Sequence, residues 1–142
     1  MQEVLGSSFV NRDGEVPFAE LEKCPIVALY FTAMWCPPCR VFNPMLVEFY
    51  NDVNYPHKRL EIIQISSDKD ATGFLEYFSR APWLAVPYGD PRIKAIKSAY
   101  RVEGIPLLLL LNRDGSVVHG TAREDVQNEG PNCFEKWLKL IN

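Results

Sequence analysis

Histidine, cysteine and positive charge are all in short supply in this chain. It has two histidines and four cysteines in 142 residues, and 15 Lys and Arg against 18 Asp and Glu, a formal charge of −3. That balance supplies no overall positive field to draw nucleic acid or anionic lipid, so neither is expected as a partner. No apolar run reaches the ~18 residues of a membrane span. The start, MQEVLGSSFVNRDGE, lacks the basic residues and apolar stretch of a secretory signal. Four cysteines are too few for a disulfide scaffold in a chain this long, which makes the cytoplasm, with the nucleus beside it, the expected location. Repeats, low-complexity tracts and Gly/Ser linkers are also missing. With 47% hydrophobic and 23% charged residues, 1–142 reads as one globular domain.

The elements alternate in type. PIVALYFTA (25–33) is a near-continuous apolar run, the pattern of a strand covered on both faces. Phe42, Met45, Leu46, Phe49 and Val53 then recur at helical spacing, predicting one buried face. RLEIIQISS (59–67) reads as a second strand, and DATGFLEYFSRA (70–81) as a helix with Phe74, Leu75 and Phe78 on one side. DPRIKAIKSAY (90–100) opens with Asp90 as N-cap and Pro91 at the first helical position, burying Ile93, Ile96 and Tyr100. IPLLLLLN (105–112), the turn NRDG and SVVHGTA (116–122) make a hairpin, and a last helix runs through Phe134, Trp137, Leu138 and Ile141. Residues 1–23 are either a short hairpin around FVNRDGEVPF or an arm. This order predicts an α/β fold: a central mixed sheet, helices on both faces, and a C-terminal hairpin and helix.

The chemistry concentrates at FTAMWCPPCRVFNP (31–44), where a strand gives way to a helix. Cysteines at i and i+3 of a first helical turn lie roughly 5–6 Å apart, within reach of a disulfide. The helix N-terminus favours a thiolate at Cys36, Pro37 and Pro38 stiffen the turn, and Arg40 adds a nearby cation. Three readings compete. A zinc site needs two further ligands, and Cys24, Cys133, His57 and His119 form no second pair at short spacing. A static staple across so small a loop removes little unfolded-state entropy. A reversible redox pair, with Cys36 as nucleophile and Cys39 as resolving thiol, fits a CxxC beside a βαβ pattern best.

WCPPC after a buried strand, Pro44 inside the following helix and an Ile-Pro entering a late strand resemble the thioredoxin superfamily. With YFTAMWCPPCRVFNPMLVEFY, SSD (66–68), APWLAVPYGDPR (81–92) and IPLLLLLNRDG (105–115), the chain is similar to the tryparedoxin–nucleoredoxin branch. The resemblance implies a thioredoxin fold and a redox-active Cys36–Cys39 disulfide that works without metal or organic cofactor. It implies that Trp35 shields the site and that Pro106 is cis and faces the sulfurs. Ile105 then presents its backbone to an extended substrate. Tyr30 stands where thioredoxins carry a buried aspartate, which leaves the acceptor of the Cys39 proton open between water and the tyrosine hydroxyl. Leu107 stands where a threonine is common. Arg123 matches an arginine near the active site in tryparedoxin-like proteins, against the plainer reading of a solvated hairpin charge.

Trp83 and Trp137 are expected in the core, and Cys24 and Cys133 as buried, inert thiols, with a regulatory disulfide as the lesser reading. His57 falls in a loop, His119 on a strand with nothing to mark it as a ligand, and DKD (68–70) at a helix start. The function implied is reduction of protein disulfides, with electrons from an upstream donor: thioredoxin reductase, glutathione or trypanothione. The alternative is a redox-gated binding protein that regulates a signalling partner.

Overall fold

The computed structural model describes residues 1–141. A four-residue helix α1 (Gln2–Leu5) precedes a hairpin of β1 (Ser8–Asn11) and β2 (Gly14–Pro17), so the N-terminal segment is a hairpin rather than a loose arm. Then follow β3 (Ile26–Thr32), α2 (Pro37–Val53), β4 (Leu60–Ser66), α3 (Ala71–Phe78), β5 (Leu84–Ala85) and α4 (Arg92–Ala99). The chain closes with β6 (Leu107–Leu111), β7 (Val117–His119), α5 (Ala122–Glu129) and α6 (Phe134–Leu140). One sheet orders the strands β2-β1-β5-β4-β3-β6-β7. Strand β3 pairs parallel with β4 and antiparallel with β6, which makes the sheet mixed.

All seven residues of β3 are buried because successive side chains point to opposite, covered faces. Ile26, Ala28 and Tyr30 join Phe42, Leu46, Phe49, Phe78, Trp83 and Trp137 under α2, α3, α5 and α6. Val27, Leu29 and Phe31 face the other way, toward Leu5, Phe9 and Ile96 under α1 and α4. A strand held this firmly makes its C-terminal end a fixed platform, and the cysteine pair begins four residues beyond it.

Several expectations need correction. Met45 is 40% exposed: the buried arc of α2 is centred on Leu46 and turns through Cys39, Asn43 and Tyr50, leaving Met45 off its edge. On α3, Leu75 is 63% exposed and Tyr77 is buried instead. Ile93 and Tyr100 are only half-buried, whereas Ile96 is sealed. The second hairpin strand ends at His119, and Ala122 opens a helix with Glu124 and Asp125 at its positive end. Arg123 therefore sits on α5, not on the hairpin. Within APWLAVP, two residues form β5, and Val10 of β1 pairs with its Ala85.

Arg92 secures the N-terminal hairpin to the body. Its guanidinium donates to the carbonyls of Leu5 (3.1 Å) and Ser8 (2.6 Å), pairs with Asp90 (3.0 Å), and lies 5.7 Å from the Phe9 ring. Asp90 also accepts from the Arg92 N–H at 2.8 Å, although Pro91 holds the N-cap position, one residue later than the sequence pattern placed it. Gly6 has φ +96°, and a Cβ there would run into the Arg92 side chain. Arg92→Ala leaves two carbonyls without their donor and is expected to lower stability by about 1–3 kcal/mol in urea titration. An unchanged midpoint would show that this anchor carries no weight.

Candidate active site

Cys36 takes the N-cap position of α2 in extended backbone conformation, with Pro37 and Pro38 as its first two helical residues. Neither proline has an N–H, so the first donor of the helix is that of Cys39. It points at the Cys36 sulfur at 3.3 Å. The prolines thus leave one donor without competitors, aimed at one sulfur. Cys36 retains 5% exposure and Cys39 none. Ala33, Cys36 and Cys39 form a small cluster of their own, and Ile105 packs against it.

The Ile105–Pro106 bond is cis, and the Ile105 carbonyl oxygen lies 4.0 Å from the Cys36 sulfur. A second cis bond, Tyr55–Pro56, had no counterpart in the sequence reading. Burial pushes the Cys39 thiol up to about 11, helped by its hydrogen bond to Cys36, while the Thr32 hydroxyl pulls the other way. Burial likewise pushes Cys24 up to about 11 and Cys133 to about 12. Both lie buried with acidic residues near them: Glu61 beside Cys24, Asp125 beside Cys133.

Segment 66–69 straps the active-site loop. Asp68 accepts the Met34 N–H at 2.7 Å on one oxygen and the Ser66 hydroxyl at 2.7 Å on the other. The Ser67 carbonyl accepts from Trp35 Nε1 at 2.8 Å. Lys69 Nζ sits 4.9 Å from the Trp35 ring centre, and Lys97 donates to the Ser67 hydroxyl at 2.6 Å. Burial shifts the Lys97 ammonium downward. Trp35 is 47% exposed, an indole hinged by its nitrogen beside the sulfurs. Within DKD only Asp70 is the helix cap, accepting the Gly73 N–H at 2.7 Å. The part played by Asp68 escaped sequence reasoning because its partner lies 34 residues away.

Behind Cys39, Tyr30 is fully buried and donates to Asn43 Oδ1 at 3.0 Å. Its ring meets Phe42 and Trp83 edge-on. Burial drives this phenol far above its ordinary range, so it stays protonated. The Tyr77 hydroxyl reaches Thr32 Oγ1 at 3.0 Å and donates to the Cys39 carbonyl at 3.3 Å. Arg40 is exposed and lines an open groove with Asn43, Tyr77 and Arg80. Arg123 is partnered by Glu124 at 3.2 Å, with no bond to the sulfur site.

Trp83 and Trp137 are buried, as expected, donating to Gln64 (2.9 Å) and Asp125 (2.9 Å). Asp125 also bonds His119 at 2.7 Å, which pins β7 to α5 and α6. Among the described residues, no three His, Cys, Asp or Glu side chains are grouped to hold a metal ion.

The Thioredoxin-like family profile matches residues 25–117. Probable nucleoredoxin 1 of Arabidopsis thaliana is 44% identical over 118 residues, 81% of this chain and 20% of that protein. Nucleoredoxin of Homo sapiens is 36% identical over 129 residues, 90% of this chain and 30% of its own length. The chain therefore spans a fifth to a third of these relatives. Tryparedoxin of Trypanosoma brucei brucei is 38% identical, covering 81% of this chain and 79% of that one. The structure of tryparedoxin I from Crithidia fasciculata superposes with a TM-score of 0.81 at 35% identity, covering 88% and 87% of the two chains. The mixed sheet with helices on both faces is the thioredoxin fold. The chain belongs to the thioredoxin-like oxidoreductase family, within its tryparedoxin–nucleoredoxin branch.

Proposed function

We propose that the chain reduces protein disulfides, with Cys36 as nucleophile and Cys39 as resolving thiol. The observation that carries this reading is the unequal setting of the two sulfurs. Negative charge on Cys36 meets the Cys39 N–H and the positive end of α2. Cys39 is sealed and pushed up to about 11, which keeps it a thiol in reserve near neutral pH. In the first step the Cys36 thiolate attacks one sulfur of a target disulfide. A Cys36–target bond forms, the target's own bond breaks, and its second sulfur leaves as a thiolate that picks up a proton. Cys39 then loses its proton and attacks the Cys36 sulfur. The Cys36–Cys39 bond forms and the remaining target thiolate leaves.

Other residues bind and orient. The Ile105 carbonyl beside Cys36, next to the cis Pro106, offers a backbone acceptor to an extended target strand. Trp35 covers one side of the sulfurs while tied to Ser67, and Arg40, exposed on the first turn of α2, contributes charge at the rim. An upstream thiol or reductase returns two electrons to the oxidised pair. Neither metal nor organic cofactor enters the cycle. A reducing cytoplasm, with access to the nucleus, is the compartment in which such a pair recharges.

Two tests follow. Brief alkylation of the reduced protein near neutral pH, read by peptide mass, is expected to mark Cys36 first, because the other three thiols are all pushed up by burial. Preferential marking of Cys24, Cys39 or Cys133 contradicts the assignment. Cys39→Ser is expected to accumulate mixed disulfides with cell proteins that dithiothreitol releases, while Cys36→Ser accumulates none. Equal trapping by both variants would reverse or abolish the two roles. Redox-dependent capture of one partner by the wild type, without turnover of any disulfide, would move the reading to a redox-gated binding protein.

A further inference from the structure

Charge is unevenly placed around the sulfurs. The chain as a whole is acidic, with a formal charge of −3. Yet the charged side chains in contact with Trp35 and Ser67 are two lysines. Lys69 Nζ sits 4.9 Å from the centre of the indole ring. Lys97 Nζ donates to the Ser67 hydroxyl at 2.6 Å, while the Ser67 carbonyl holds the indole nitrogen at 2.8 Å. The two reach this spot from different elements, Lys69 from the loop before α3 and Lys97 from α4. Arg40, exposed on the first turn of α2, adds a third cation at the site. Among the described residues, no carboxylate forms an ion pair with any of the three.

We propose that Lys69 and Lys97, flanking Trp35, form a subsite for acidic residues next to the disulfide of a target protein, so that the chain selects disulfides flanked by Asp or Glu. The proposal rests on the dithiol reading above and names the class of disulfide that it favours. The neighbouring acids do not cancel the lysines, because their oxygens are turned to other donors. Asp68 gives one oxygen to the Met34 N–H and the other to the Ser66 hydroxyl. Asp70 caps α3 through the Gly73 N–H. Loop 101–104, which leads into the cis bond, carries one exposed charge of each sign, Arg101 and Glu103, and so favours neither. The outward charge on the Trp35 side of the sulfurs is therefore that of the two ammonium groups.

The two lysines suit this task in different ways. Lys69 is exposed, and its flexible stem lets the ammonium leave the indole face for an arriving carboxylate. Trp35, 47% exposed, then offers its ring to the target's apolar atoms. Lys97 is half-buried; one of its N–H groups goes to Ser67 and the rest are left for another acceptor. Burial shifts this ammonium downward while the Asp68 charge pulls the other way, and a target carboxylate beside it would offset the lost solvation. Only acids close to the target cysteine count, since exposed charges more than about 10 Å apart are largely screened in 0.1 M salt. The sulfur chemistry is unchanged: the target disulfide becomes two thiols as the Cys36–Cys39 bond forms. The lysines act on encounter and docking, not on the sulfurs.

Symmetric peptide disulfides that differ only in the residues beside the cysteine, Asp, Ser or Lys, test the subsite. Reduced protein is mixed with an excess of each peptide, quenched with acid, and read by intact mass for the loss of two hydrogens. Each rate constant is divided by that of the same peptide with dithiothreitol, which removes the peptide's own reactivity. The normalised constant is expected to be about three- to tenfold higher for the Asp peptide than for the Lys peptide. The ratio should fall toward one at about 1 M salt, where screening shortens to about 3 Å. Lys69→Glu and Lys97→Met should each shrink it. Lys23→Glu makes the same change in net charge as Lys69→Glu, but at the far end of β3, and should leave the ratio unchanged. Because the ratio is taken within each variant, a general loss of activity cancels. A wild-type ratio of one or below overturns the subsite. So does a ratio that neither lysine variant lowers, or one that Lys23→Glu lowers as much, which marks the field of the whole chain. Failure of the wild type to be oxidised by any of the peptides would instead remove the dithiol reading and the subsite with it.

Discussion

A sulfur caps helix α2 where a hydroxyl or carboxylate is the usual choice. Everything else at the site depends on that bond. The two prolines after Cys36 contribute by what they lack, because without N–H groups at the first two helical positions the Cys39 N–H has no rival for the Cys36 sulfur. The bond also fixes the spacing of the pair, since the donor belongs to the residue whose side chain must later reach the same sulfur. A capping interaction that ordinarily stabilises a helix has become the device that separates two chemically identical side chains. One sits at the surface edge under that capping bond, and the other is held neutral inside.

The surroundings preserve that difference from two sides. On the outer side, Asp68 holds the Met34 N–H and Ser67 holds the Trp35 nitrogen, so the loop carrying Cys36 is tied to the end of β4 as well as to β3. On the inner side, burial suppresses ionisation of Cys39, and the Thr32, Tyr77, Tyr30 and Asn43 side chains keep the interior behind it polar but hydrogen-bonded. The same burial that holds Cys39 in reserve makes its proton hard to remove.

Legibility in the sequence followed the range of the interaction. The β3–α2 junction and the Cys36–Cys39 pair were readable because a run of seven buried strand residues and a three-residue spacing are local patterns. The cis Pro106 came through resemblance alone, since nothing local to Ile105–Pro106 specifies its isomer. Helical periodicity assigned Met45 and Leu75 inward because it counts spacing without knowing where the sheet lies. The start of α5 was lost in an apparent strand because no capping bond marks it: Thr121 holds the N-cap position without a side-chain hydrogen bond. Asp68, Tyr77 and the His119–Asp125–Trp137 cluster were missed for another reason. Each works through a bond to a residue on another element, 45 positions away for Tyr77 and Thr32, and leaves no local signature.

The central claim is that one reversible disulfide, between Cys36 and Cys39, is the working part of the molecule. Peptide mapping of the protein after one equivalent of a mild disulfide oxidant, with the remaining thiols alkylated after unfolding, tests it most directly. The account predicts loss of two hydrogens from the single peptide carrying Cys36 and Cys39, full alkylation of Cys24 and Cys133, and recovery of all four thiols on reduction. A bond that includes Cys24 or Cys133, or a Cys36–Cys39 pair that stays reduced while either of them oxidises, would contradict it.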